Sequence, residues 1–182
     1  MSASSLWADD SAQFTKMKIL IIDDEPVNVA LLEEILTENE YTRFESVTDS
    51  KLALDACKTF QPDIVLLDLM MPPPDGFAIL ESLRSDADDA FLPVIVLTAD
   101  TNDESKRRAL EAGATDFLLK PFDHVEVALR IRNLLKSRHA HLLLDNQRAA
   151  LEDAVRERTT ELRATIAELQ KTNELLVQGV SS

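Results

Sequence analysis

The sequence of 182 residues predicts a doubly wound α/β domain that is followed by a long helix. Three continuous apolar runs, Ile19–Ile22, Ile64–Leu67 and Val94–Leu97, indicate strands that are buried on both faces, as in a parallel sheet. Helical patterns alternate with these runs, which is typical of a parallel sheet with helices on both sides. Beyond them, residues 122–178 contain neither glycine nor proline. We therefore expect five strands, five helices and a helical C-terminal third.

Weaker patterns predict the remaining elements of the domain. Pro26 is well placed in the first turn of a helix over 26–39, and Gly113 is a plausible C-terminal cap for a later helix. The other predicted elements are helices over 51–60, 76–86 and 102–112 and strands near 43–47 and 115–119.

The last helix sets the predicted domain organisation. A helix that begins near Phe122 could run to about Gln178, a length of about 85 Å, which exceeds one globular domain. We expect a flexible N-terminal arm over 1–16, a globular domain over 17–138 and a coiled-coil helix over 139–182.

Charge and composition exclude several classes of protein. The net charge is −14, and residues 1–136 carry −13 of it, which argues against direct binding of nucleic acid. Cys57 is the only cysteine, so no intramolecular disulfide can form, and a reducing compartment fits. Residues 1–16 do not resemble a secretory signal, and no apolar stretch is long enough to span a membrane. We expect a cytoplasmic protein with no membrane partner.

Polar side chains follow four of the predicted strands. Asp23 and Asp24 follow the first strand, Asp68 follows the third, Thr98 ends the fourth and Lys120 follows the fifth. Ligands of open α/β sheets bind at the carboxyl ends of the strands, so we expect these side chains to converge.

The predicted cluster is suited to phosphoryl chemistry. Crowded carboxylates attract a hard divalent cation, and Mg²⁺ binds one or two carboxylates together with phosphate oxygens. A carboxylate such as Asp68 can accept a phosphoryl group, while Thr98 and Lys120 supply a hydroxyl and an ammonium for its oxygens. Taken singly, Asp23 and Asp24 could be turn residues, Thr98 a strand-end hydroxyl and Lys120 a solvated charge. Coincidence at four strand ends is the weaker explanation.

Other functions have less support. The chain has only three glycines and none follows the first strand, so the phosphate-binding loops of nucleotide enzymes are absent. His139 and His141 do not share a helix face, which argues against a zinc site. A basic stretch from Arg130 to Arg138 is better explained as a solvated helix end than as a DNA-binding surface.

Four segments carry a resemblance to the receiver domains of two-component response regulators: ILIIDDEPVN, PDIVLLDLMMPPPDGF, PVIVLTA and GATDFLLKPF. They occur in the expected order over about residues 17–136. The resemblance implies a flavodoxin-like (βα)5 sheet with strand order 2-1-3-4-5. It also implies that Asp68 accepts a phosphoryl group from a sensor histidine kinase or a phosphotransfer protein, and that the domain is a signalling module rather than an enzyme.

The resemblance further implies a ligand set for Mg²⁺. Asp24 and Asp68 would bind the ion directly, the backbone carbonyl of Met70 would be a third protein ligand, and Asp23 would act mostly through water.

A conformational switch is also implied by the resemblance. Thr98 and Lys120 would hold the phosphoryl oxygens, and Phe117 would rotate inward as Thr98 moves. The Lys120–Pro121 bond would be cis. The sequence departs from the family at Pro74, where an apolar residue such as methionine is usual.

The C-terminal segment carries a broken heptad pattern, which Arg148, Arg158 and Asn173 interrupt. It resembles the signalling helices that join receivers to output domains. We expect homodimerisation through this helix, and two alternatives stay open: a coiled-coil scaffold or adaptor, and a receiver fragment of a larger protein with a phosphodiesterase or kinase output domain. The apolar seam comprises Leu144, Leu151, Val155, Leu162, Ile166, Leu169 and Leu176.

Overall fold

A computed structural model describes residues 14–85, 91–100 and 102–180, with side chains except at 103 and 178–180. It contains a parallel sheet in the predicted order β2-β1-β3-β4-β5. The three central strands are buried along their whole length, which explains why their sequences are continuously apolar. The strands are β1 (Ile19–Ile22), β2 (Phe44–Val47), β3 (Ile64–Asp68), β4 (Val94–Thr98) and β5 (Asp116–Leu119).

Helices alternate with these strands, as the flavodoxin-like fold requires. They are α1 (Pro26–Glu38), α2 (Ala53–Phe60), α3 (Gly76–Ser85), α4 (Asp103–Glu111) and α5 (His124–Val180). The predicted helix over 51–60 is split, because Asp49 caps a short 3-10 turn over Ser50–Leu52 before α2 begins. Gly113 follows the end of α4 with a φ of +99°, a conformation that glycine adopts at little cost.

Strand register brings the predicted site residues to one edge of the sheet. Ile22 pairs with Leu67, so Asp23 and Asp68 leave their strands at the same level. Thr98 pairs with Leu119, and the N–H of Lys120 donates to the carbonyl of Thr98 at 2.8 Å.

Contacts at the opposite edge hold α5 to the domain. The ring of Phe14 is buried and meets the ring of His139 edge-on at 5.7 Å. Arg138 is also buried, donates to the carbonyl of Phe91 at 3.1 Å and lies 4.0 Å from Asp63. Phe14 therefore contacts the domain although the sequence places it in the predicted arm. Residues 1–13 of that arm lie outside the described residues.

The chain divides into two compact units, Met1–Ala140 and His141–Ser182. In the second unit the helix continues through Asp145 and Asn146, the only pair with turn character in its sequence. All seven seam residues from Leu144 to Leu176 are exposed. No helix within the described ranges combines the length and the apolar character that crossing a membrane requires.

Candidate functional site

Three carboxylates meet at the carboxyl edge of the sheet. Asp23 and Asp68 are buried, Asp24 is half-buried, and one carboxylate oxygen of each lies within 4.8 Å of the others. Gly76 permits this crowding near β3, because a Cβ there would lie 2.2 Å from the backbone oxygen of Asp68. The start of α3 can thus approach β3 closely.

Lys120 lies between two of these carboxylates. Its ammonium donates to Oδ2 of Asp23 at 2.9 Å and lies 3.1 Å from Oδ1 of Asp68. Burial lowers the pKa of Lys120, but the hydrogen bond to Asp23 and the charge of Asp68 outweigh it, and the pKa is raised. Lys120 therefore stays charged between two acids. The Lys120–Pro121 peptide bond is cis, as the resemblance predicts.

Residues at the start of α1 and just before it also donate to Asp23. The N–H of Glu25 donates to Oδ1 at 2.9 Å, and the side-chain amide of Asn28 lies 3.2 Å from Oδ1 and 3.1 Å from Oδ2. No role for Asn28 is predicted from the sequence. The sequence feature that could have singled out Asn28 is its polar side chain in the first turn of a helix otherwise rich in apolar residues, four positions after Asp24.

The carboxylates of Asp24 and Asp68 have fewer hydrogen-bond donors than that of Asp23. Oδ1 of Asp24 is buried and accepts no hydrogen bond from the described residues. Burial raises the pKa of Asp68; Lys120 opposes that shift, Asp23 adds to it, and the N–H of Met70 opposes it weakly. A buried acceptor without a donor, beside crowded carboxylates, is a position that a cation can fill. The acidic cluster therefore fits a metal ion.

Thr98 is buried beside the cluster and has a hydroxyl proton to donate. Its Oγ1 accepts the N–H of Asp100 at 3.0 Å, so the lone pair is engaged while the O–H remains. The carboxylate of Asp100 is turned to the start of α4, where it accepts from Ser105 at 2.5 Å and from the N–H of Asn102 at 2.8 Å. These hydrogen bonds lower the pKa of Asp100, that of Ser105 most.

The loop after Asp68 borders the site. The side chain of Met70 is exposed, and its N–H lies 3.4 Å from Oδ1 of Asp68. Pro74, the departure from the family, follows a cis Pro73–Pro74 bond. The buried hydroxyl of Ser50 donates to the carbonyl of Pro72 at 2.8 Å, which ties this loop to the turn after β2.

Phe117 lies apart from the carboxylates, on β5. Its half-buried ring packs against the core and has two cations near its faces. Lys106 of α4 is 5.2 Å from the ring centroid, and Arg130 of α5 is 5.9 Å from it. The ring thus contacts cations of both flanking helices from the strand that precedes Lys120.

Residues 19–132 match the sequence model of the response regulator receiver domain. The chain belongs to the response regulator receiver family. The receiver domain is a module of two-component signalling that works by phosphorylation, and the predicted fold class and strand order are confirmed.

Relatives of this receiver include proteins with more than one domain. The chain is 40% identical over 119 residues to Response regulator PleD of Caulobacter vibrioides, covering 65% of this chain and 26% of that protein. It is 32% identical over 154 residues to a Vibrio cholerae protein named "Probable cyclic di-GMP phosphodiesterase", covering 85% of this chain and 34% of that protein. The chain thus spans about a quarter to a third of the length of these curated relatives.

Solved receiver structures share the fold. The Francisella response regulator 1452 receiver domain superposes with a TM-score of 0.62 at 32% identity, covering 67% of this chain and 98% of that one. The likeness concerns the domain and leaves the role of each site residue to be argued from its chemistry.

Proposed function

We propose that Asp68 accepts a phosphoryl group from a sensor histidine kinase or a phosphotransfer protein, with the help of Mg²⁺. The observation that carries this proposal is the ammonium of Lys120, held 2.9 Å from Asp23 and 3.1 Å from Asp68 at the carboxyl edge of the sheet. An ammonium in that position neutralises charge where phosphoryl oxygens must approach a carboxylate.

The chain's own residues have separate tasks in the transfer. An oxygen of Asp68 forms a bond to phosphorus while the bond from phosphorus to the donor's leaving atom breaks. Lys120 offers its charge to one phosphoryl oxygen, and the hydroxyl of Thr98 donates to another. Phe117 follows the movement of Thr98, because both lie at the paired strands β4 and β5.

Mg²⁺ would be held by Asp24, by Asp68 and by the backbone carbonyl of Met70, with Asp23 acting through water. The buried Oδ1 of Asp24, which accepts no hydrogen bond from the described residues, supports this set. The ion supplies charge neutralisation for the phosphoryl oxygens. A cytoplasmic location, with no nucleic-acid contact by the acidic domain, is part of the same proposal.

Binding of beryllium fluoride, which occupies the place of a phosphoryl group on a carboxylate, tests this function. Amide shifts around β4 and β5 should appear on addition of beryllium fluoride with Mg²⁺, should exceed the local shifts around β3 that Mg²⁺ alone causes, and should be absent with beryllium fluoride alone. Shifts that do not depend on Mg²⁺, or no shifts at all, would contradict the proposal.

A second part of the proposal concerns the C-terminal helix. We assign residues 17–138 to the receiver and 139–182 to a signalling helix that pairs in parallel with a second copy. The exposure of all seven seam residues supports pairing, because each large apolar side chain gains about 1.5–3 kcal/mol on full burial. Asn173 would face its counterpart, which fixes register. Similarity to the Vibrio protein over 154 residues continues past 19–132 and supports the alternative in which such a helix leads to an output domain.

A further inference from the structure

Asn28 is the third residue of α1, and its side chain points to the acidic cluster. Its Nδ2 lies 3.2 Å from Oδ1 and 3.1 Å from Oδ2 of Asp23, and 3.2 Å from Oε2 of Glu25. α1 begins at Pro26, whose ring lacks an N–H and suits a first helical turn. The amide is therefore delivered from a helix start of fixed geometry.

With Asn28 in place, protein donors lie at most of the acceptor positions of Asp23. A carboxylate has about four lone-pair sites. Oδ1 accepts from the N–H of Glu25 and from Asn28, and Oδ2 accepts from Lys120 and from Asn28. Asp23 is fully buried, so these donors replace the water that a carboxylate otherwise binds.

Asp24 differs from Asp23 in this respect. Its buried Oδ1 accepts nothing from the described part of the chain, and it lies in the same cluster. The two neighbouring acids therefore differ: Asp23 is bonded mainly to protein donors, and Asp24 has a buried oxygen that accepts no hydrogen bond from the described residues.

We infer that Asn28 is a positioning residue that reserves Asp23 for Lys120 and leaves the metal to Asp24 and Asp68. This inference rests on the proposed function and adds to it. Without the amide of Asn28, Asp23 loses a protein donor and the cluster loses N–H dipoles that offset its negative charge. Asp23 then turns to the ion, and the ammonium of Lys120 is held less firmly for the phosphoryl group.

Two measurements on Asn28→Ala should move in opposite directions. The Kd for Mg²⁺, measured by titration of the unphosphorylated protein, should fall by about threefold or more, because the N–H dipoles that offset the negative charge of the cluster are lost. The initial rate of phosphorylation by a small phosphodonor at saturating Mg²⁺ should fall about tenfold, because hydrogen bonds to a charged group are the strong ones. Asn28→Asp, which keeps the shape, removes the donors and adds a negative charge, should change both quantities in the same two directions and should lower the Kd for Mg²⁺ further.

A metal-free measurement tests the contact itself. The side-chain amide protons of Asn28 should be protected from hydrogen exchange in the wild-type protein, and Asp23→Ala should abolish that protection. Val27→Ala, at the exposed neighbouring position, is the matched control and should leave the Mg²⁺ affinity, the rate and the protection unchanged.

Tighter Mg²⁺ binding combined with slower phosphorylation supports the inference. Unchanged or weaker Mg²⁺ binding in Asn28→Ala would overturn it, since a merely structural residue would weaken both properties together. If the wild-type protein neither binds Mg²⁺ nor becomes phosphorylated, the proposed function fails as well. If the wild-type protein binds Mg²⁺ and is phosphorylated, and the Asn28 variants do so to the same extent, the inference about Asn28 is overturned and the proposed function stands.

Discussion

The ammonium of Lys120 lies 3.1 Å from Oδ1 of Asp68, although Asp68 ends β3, Lys120 follows β5, and β4 lies between these strands. The backbone N–H of Lys120 donates a hydrogen bond to the carbonyl of Thr98, and the Lys120–Pro121 bond that follows is cis. A phosphoryl group on Asp68 would compete directly for the same ammonium. Lys120 thus connects Asp68 to β4 and β5.

Lys120→Ala should permit some phosphorylation of Asp68 but should blunt the response of the fold. The ammonium that transmits the change is removed, whereas the acceptor and the metal ligands remain. Amide shifts of β4 and β5 on beryllium fluoride binding should shrink to a fraction of the wild-type shifts. Lys120→Arg, which keeps the charge, should retain more of them. A full wild-type shift pattern in Lys120→Ala would mean that the switch does not run through this lysine.

Asp24→Ala should weaken Mg²⁺ binding at least tenfold and slow phosphorylation, because it removes the oxygen with the open acceptor position. The metal-free domain should be as stable as the wild type or more stable, since one of three crowded negative charges is gone. Isothermal titration and urea unfolding in chelator measure the two effects. Asp55→Asn, an exposed acid on α2, is the control. Unchanged Mg²⁺ affinity would count against Asp24 as a ligand.

The pH dependence of the free energy of unfolding should report the ionisation of Asp68. Burial raises its pKa despite Lys120, so the folded state holds this proton at a pH where the unfolded chain has released it. A raised carboxyl pKa means that stability is lost as pH rises from the ordinary aspartate range through the folded pKa.

Asp68→Asn cannot lose a proton there. In chelator near neutral pH it should therefore be more stable than the wild type, and the difference should vanish at a pH below the usual aspartate range. Urea unfolding of both proteins across this pH range measures the effect. A difference that stays constant with pH would show that the burial of the Asp68 charge is not its cause.

The C-terminal helix should make the chain a dimer. Leu162 and Ile166 are exposed on the apolar seam, so the double variant Leu162→Glu/Ile166→Glu should place four charges in the paired interface. Light scattering at micromolar concentration should give a dimer for the wild type and a monomer for the variant. Thr160→Glu, an exposed position off the seam, should remain dimeric. If the wild type is monomeric, phosphorylated or not, the helix is a solvated linker.

Much of this fold could be predicted because β1, β3 and β4 are buried on both faces and therefore read as uninterrupted apolar runs. The edge strands β2 and β5 gave weaker patterns, because they are only partly buried. Because the carboxyl ends of parallel strands lie at the same edge of the sheet, the sequence also predicted that the acids, the hydroxyl and the lysine lie close together.

Other features depend on contacts that no local pattern encodes. Asn28 looked like an ordinary polar residue, and only the coordinates bring its amide to Asp23. Phe14 fell within a segment without periodicity, yet it is buried against His139, which lies far away in the sequence. The 3-10 turn at Ser50–Leu52 depends on a single capping side chain, that of Asp49.

Identification of the phosphorylated residue tests the central claim most directly. The chain should be incubated with Mg²⁺ and a small phosphodonor, the product reduced with borohydride, and the modified residue located by mass spectrometry, with Asp68→Asn and Asp55→Asn in parallel. The account predicts a base-labile, acid-stable adduct at Asp68 in the wild type and in Asp55→Asn, and its loss in Asp68→Asn. Equal labelling of Asp68→Asn, or modification at another residue of the wild type, would contradict it.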